Sequence, residues 1–185
     1  MKEPKDWWQS HYGAALPIAH RLRFQVPDRW FRIHSLPQSK RYPQKPSEYS
    51  GLLARHNTVA TDILGSQSLC LLLVGRYHEQ PDLHSRSQSL PNLEGINFTL
   101  FDTWEEPRFI SVWCAPVTWI PGQYNGIIKA VADDEEANIV FASLQTGEAY
   151  APYDGGADLF LASTARRDQL KQRYADWLSK HPQGV

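Results

Sequence analysis

Ser68-Leu69-Cys70-Leu71-Leu72-Leu73-Val74-Gly75-Arg76-Tyr77 is the run whose reading decides the fold. Its Leu-rich centre is apolar at every position and ends in the polar Gly75-Arg76-Tyr77-His78, the pattern of a short buried strand. Leu69 to Val74 is the longest apolar run and falls far short of the ~20 residues that cross a bilayer. The first residues, Met1-Lys2-Glu3-Pro4-Lys5-Asp6, carry no apolar signal-peptide core, so a cytoplasmic protein with no membrane association is expected.

Downstream of this strand, residues 79 to 95 are rich in Ser, Pro, Gln and His and read as a long surface loop. Ile96 to Phe101 and Arg108 to Trp119 read as further strands, with Pro116 marking an edge or a bulge. Pro121-Gly122 breaks the chain before a helix from about Gln123, which should stop short of Asp133-Asp134-Glu135-Glu136 because acids are unfavourable at a helix C-terminus. Asn138 to Leu144, Glu148 to Pro152 and Ala157 to Ala162 are short strands. Thr146-Gly147 and Asp154-Gly155-Gly156 supply turns in which Gly permits positive φ. Thr164 to Ser179 is a terminal amphipathic helix with Leu170, Tyr174, Trp177 and Leu178 on one stripe.

Upstream, Ser47 is expected to cap a helix that carries Tyr49, Leu52, Leu53, Val59, Ala60, Ile63 and Leu64 and ends at Gly65. Arg55, His56 and Asn57 interrupt its apolar period. Trp30 to Leu36 reads as a strand with Phe31 and Ile33 facing the core and Arg32 and His34 on the opposite face. Two short helices, Asp6 to Gly13 and one opened by Pro17, precede it. The whole predicts an α+β fold: a mixed, mostly antiparallel sheet of about five to seven strands with three to five flanking helices. At 185 residues the chain is expected to be a single domain, with residues 1–28 as a helical N-terminal segment and residues 29–180 as the core.

Composition is ordinary for a globular chain at 42% hydrophobic and 21% charged, but seven Trp stand out and should serve mainly as core. Cys70 and Cys114 sit in apolar runs and read as two buried thiols, unsuited to a disulfide framework or a zinc site. The net charge of −1 conceals a split: residues 1–60 hold ten Lys/Arg against four Asp/Glu, and residues 61–185 hold nine against sixteen. Such a split makes a bipolar surface unless the two parts interleave in the fold.

The basic part concentrates the candidate site. Arg32 and His34 lead into a stiff loop bearing Ser39, Lys40, Arg41 and Tyr42, and Arg55 and His56 follow on the next helix. Guanidinium forks, an ammonium and hydroxyl donors together suit a phosphate or carboxylate. No Gly-x-Ser-x-Gly elbow surrounds Ser35 or Ser39, and no Walker loop, dinucleotide fingerprint or His-Glu-x-x-His occurs. Glu105-Glu106, Asp133 to Glu136, Asp154 and Asp158 read as solvated faces or turn residues. A sequence pI near 6.6 and the lack of a reader motif speak against nucleic acid. No catalytic residue, metal site or cofactor is expected.

Trp30-Phe31-Arg32-Ile33-His34-Ser35-Leu36-Pro37, Ser39-Lys40-Arg41-Tyr42-Pro43 and Arg55-His56-Asn57-Thr58-Val59 resemble a family of small, uncharacterised bacterial proteins. Tyr153-Asp154-Gly155-Gly156-Ala157-Asp158-Leu159 and Tyr174-Ala175-Asp176-Trp177-Leu178 are similar to a related bacterial domain of unknown function, so the resemblance spans roughly residues 28 to 180. It implies an immunity or accessory role near toxin or phage-defence genes and transfers no catalytic residue. The leading expectation is therefore a non-enzymatic, immunity-like protein that holds a protein partner through Trp7, Trp8, Trp104 and Arg41. The alternative is a small enzyme or sensor that binds an anionic small molecule, a phosphorylated metabolite or nucleotide, at the His/Arg/Lys cluster.

Overall fold

A computed structural model describes residues 3–78, 98–102 and 108–178. Two helices come first, α1 (Pro4–Tyr12) and α2 (Ala19–Gln25), followed by β1 (Trp30–His34) and the long helix α3 (Pro46–Leu64). Then come β2 (Ser68–His78), β3 (Phe98–Asp102), β4 (Arg108–Trp119), α4 (Asn125–Ala132), β5 (Ile139–Ser143), β6 (Ala149–Tyr153), β7 (Gly156–Phe160) and α5 (Thr164–Arg173). The fold is α+β, and its seven strands form one sheet in the order β1-β7-β6-β5-β2-β4-β3 with every described pairing antiparallel.

Helices cover both faces, which explains the unbroken apolar run of β2. Cys70, Leu72 and Val74 join a core built with Leu52, Val59 and Ile63 of α3, Ile128 and Val131 of α4 and Leu170 of α5. Leu71 and Leu73 point the other way, into a core completed by Trp7, Trp8 and Tyr12 of α1 and Leu22 of α2. A strand covered on one face alone would read as alternating; this one cannot. Cys70 and Cys114 are free thiols on opposite faces, and burial pushes Cys70 up to about 11.

Trp7 and Trp8 are 7% and 2% exposed, so they are core and not the interface anchors that the sequence suggested. Trp8 also donates to the Ala15 carbonyl at 2.7 Å, which fixes the turn between α1 and α2. Trp104 and the expected loop at 79–95 lie outside the described residues.

Other local expectations are adjusted by backbone chemistry. Helix α3 begins at Pro46, with Lys45 at the cap position, so Ser47 lies inside the helix: proline is pre-set for the first turn and lacks the N–H that a cap would satisfy. Ser163 is the serine that does cap, accepting from the Arg166 N–H at 3.2 Å. Gly65 and Gly147 take φ of 86° and 73°, whereas Gly155, in the two-residue turn between β6 and β7, has no left-handed φ. Helix α4 does stop before its acidic tail. Pro116 pairs with Leu71 of β2, and its other side lies beyond the part of β4 that β3 reaches, Arg108 to Val112, as proline's missing donor requires.

Candidate functional site

Strand β1 lies at one end of the sheet and pairs with β7 over its whole length, Arg32 opposite Asp158 and His34 opposite Gly156, while Ile33 also bridges to Leu178 on its outer side. Phe31 and Ile33 enter the α3-side core, so Arg32 and His34 project from the face that carries α2. The Arg32 guanidinium grips the Asp158 carboxylate with Nε to Oδ1 at 2.8 Å and Nη2 to Oδ2 at 2.9 Å. Trp30 Nε1 donates to the same Oδ1 at 2.8 Å. Burial alone would lower Arg32, but the hydrogen bonds and charge of Asp158 hold it above its ordinary value. The Tyr153 ring lies 4.1 Å from the guanidinium carbon, and burial pushes its hydroxyl up to about 12.

Arg32, Asp158 and Tyr153 form one wall of a cavity of about 520 Å³. Arg23 of α2 forms another wall, Ser39 and Arg41 of the loop a third, and Asp134, Glu136, Ala137 and Asn138, between α4 and β5, a fourth. A second cavity of about 690 Å³ lies between the Leu36–Ser39 turn and residues 175–178, with Arg55 and Trp177 in its lining. His34 and Ser39 belong to both.

Of the residues that the sequence singled out, Arg32, His34, Ser39 and Arg41 therefore line the first cavity, and Arg55 lines the second. Arg55 donates to the His34 carbonyl at 3.1 Å and lies over the Trp177 ring at 5.1 Å. Lys40 is held by Glu48 at 2.7 and 2.9 Å, and Arg41 and Tyr42 both donate to Asp154 Oδ2, at 2.6 and 2.9 Å. The charged halves of the sequence thus interleave: cations from the first sixty residues meet Asp154 and Asp158, and the expected bipolar surface is neutralised across this site.

His56 faces neither cavity. It is 1% exposed, with Nε2 at 2.7 Å from Ser35 Oγ and Nδ1 at 2.6 Å from the Tyr150 hydroxyl, and both of those groups are buried as well. Burial lowers its pKa to about 3, so the ring is neutral and serves as a polar pin joining α3 to β1 and β6. It does not interrupt the apolar period: four residues after Leu52 and three before Val59, it lies on the buried stripe itself.

Sequence reasoning missed Arg23. Its Nε is buried without a hydrogen-bond partner, and so is Nε2 of His34, although both residues line the same cavity. Burial lowers the pKa of Arg23, and the neighbouring Arg32 adds to this. His34 is lowered for the same two reasons in the same order, against a smaller opposing effect of the Gly155 backbone. Buried polar atoms are almost always paired in folded proteins, so two residues of one cavity lining that each hold an unpaired buried nitrogen stand out. An arginine on a short amphipathic helix carries no signal in sequence; the pairing deficit exists only once the fold surrounds it.

Among the described residues no three His, Cys, Asp or Glu side chains converge as metal ligands would, and no helix is long and apolar enough to cross a membrane. Neither a curated protein nor a solved structure matches the chain. The model of a family described as a domain of unknown function, DUF3885, matches residues 18–182, and the chain belongs to that family.

Proposed function

We propose that this chain is a binding protein for a small molecule bearing a carboxylate or phosphate, held in the cavity between α2, β1 and the loop after α4. One observation carries the reading: Arg23 and His34 both line that cavity, and each has a buried nitrogen, Nε and Nε2, without a hydrogen-bond partner. An anion satisfies Arg23 by a charge-assisted bond and accepts from His34 in the tautomer that carries its proton on Nε2. Arg32, clamped by Asp158, acts as a fixed wall whose charge is already balanced. Arg41 and Tyr42 stand at the rim, tied to Asp154.

A protein partner, the leading expectation from sequence, comes second. Its anchors Trp7 and Trp8 are committed to the core, and Arg41 alone of the described anchors remains at the surface. A concave cluster also favours a small ligand over a flat interface. Two free, buried thiols fit a cytoplasmic setting, which we include in the proposal.

A thermal-shift screen of the full chain against short carboxylates and inorganic phosphate tests the reading, because a ligand of the native state raises the melting temperature by mass action. At least one anion should stabilise the protein, and Arg23→Met should remove the shift, whereas Arg41→Ala should keep most of it. A screen in which no anion shifts the melting temperature, or in which the shift survives Arg23→Met, overturns it.

A further inference from the structure

The charges of the cavity can be taken in pairs. Arg32 is balanced by Asp158, Arg41 by Asp154, and Glu136 by Arg76. Of the lining Asp, Glu and Arg side chains, two remain. Arg23 makes no ion pair, and Asp134 makes no side-chain hydrogen bond or ion pair among the described residues. The lining therefore offers one cation without a direct ion pair, Arg23, which is partly buried on α2 beside the Phe24 ring and feels Asp158 only at longer range, and one carboxylate without a cation, Asp134, exposed on the loop after α4. A polyphosphate brings several negative charges to a lining with a single spare cation and four carboxylates, and like charges at short range oppose it.

Asp134 is also an unfavourable residue for its backbone. It has a φ of 60° directly after the C-cap Asp133 of α4, a position that suits Gly or Asn. Glu135 N–H reaches back to the Ala130 carbonyl at 2.8 Å and locks this turn, so the left-handed conformation cannot relax without loss of the helix end. A carboxylate there also meets the negative end of the helix dipole. Strain together with adverse electrostatics at one cavity-lining residue is the kind of cost that a ligand contact offsets.

We propose, building on the anion-site reading above, that the ligand is a small aminocarboxylate. Its carboxylate is held at Arg23 and His34, and its ammonium group faces Asp134. The volume of about 520 Å³ admits a molecule of that class. The Tyr153 ring, stacked on Arg32 in the same lining, presents an apolar surface for the carbon skeleton.

Isothermal titration calorimetry on the full chain distinguishes this inference from the reading on which it rests. The probes are ω-amino carboxylates of increasing chain length, each paired with the carboxylate in which a hydroxyl replaces the amine, together with inorganic phosphate. At least one amino acid should bind roughly tenfold or more tightly than its hydroxy counterpart, the worth of one charge-assisted contact. Asp134→Asn should bring the two to equal affinity while leaving the hydroxy acid unchanged, which also shows that the variant is folded. Arg23→Met should abolish both. Equal binding of amino and hydroxy acids in the parent chain, or binding of phosphate alone, each lost in Arg23→Met, overturns the aminocarboxylate and leaves the anion site standing. No binding of any probe, or binding that survives Arg23→Met, overturns both.

Discussion

Arg32 and Asp158, 126 residues apart in sequence, are joined by two parallel hydrogen bonds beneath α2, and Asp158 has a third donor in Trp30. The carboxylate is almost fully buried, with 2% of its side chain exposed. Removing one member of such a pair strands the other charge. Asp158→Ala should therefore cost about 3 kcal/mol or more, and the double variant Arg32→Met/Asp158→Leu should cost less than the single one. Urea unfolding of the three chains measures this; equal losses in single and double variants would mean that the pair contributes only packing.

The His56 pin makes a prediction about acid. Its pKa falls to about 3 in the folded chain from an ordinary 6.5, so between these values the unfolded chain binds a proton that the folded chain does not. The contribution of the neutral ring is complete above pH 6.5 and is lost as pH falls from there toward 3, with a slope of up to about 1.4 kcal/mol per pH unit. Unfolding free energies measured across this range for the parent and for His56→Leu should differ by that slope. Parallel curves would refute the assignment.

Gly156 is needed for a close approach and not for positive φ. A Cβ there would lie 1.8 Å from the Ile33 carbonyl oxygen, inside the β1–β7 ladder. Gly156→Ala should destabilise by about 3 kcal/mol as the strands separate. Gly51→Ala, where a Cβ meets nothing within 4 Å in the middle of α3, should be stabilising by roughly 0.5–1 kcal/mol. Melting temperatures of the two variants should move in opposite directions.

Asp134 should show the reverse of the usual mutational outcome. Asp134→Gly relieves the left-handed strain and removes a carboxylate from the C-terminal end of α4, so a gain of about 1 kcal/mol is expected. A loss of stability on this substitution would show that the aspartate has a structural role.

Local patterns carried most of the fold. The unbroken run at Ser68 to Val74 and the alternation at Phe31 and Ile33 report burial directly, because side-chain direction along a strand has a fixed period. The stripe of α3 is as readable, and His56 lies on it because a neutral imidazole with two partners can occupy a buried position like an apolar side chain. The candidate site was legible in part. Arg32, His34, Ser39 and Arg41 are near neighbours in sequence and share a cavity, but the acids that neutralise Arg32 and Arg41 come from the β6–β7 hairpin, more than a hundred residues away. Arg23 was invisible for the same reason, since an unpaired atom is a property of everything around it.

The family match begins at residue 18, yet α1, residues 4–12, lies wholly before it and contributes Trp7, Trp8 and Tyr12 to the core beneath the sheet. The boundary recognised by sequence similarity is therefore not the boundary of the folding unit. A fragment trimmed to the matched stretch would leave Leu71, Leu73, Val140 and Ala142 under a half-removed cover, and its insolubility on expression would say nothing about the rest of the chain. A version of this chain intended for purification should begin upstream of Trp7 and Trp8.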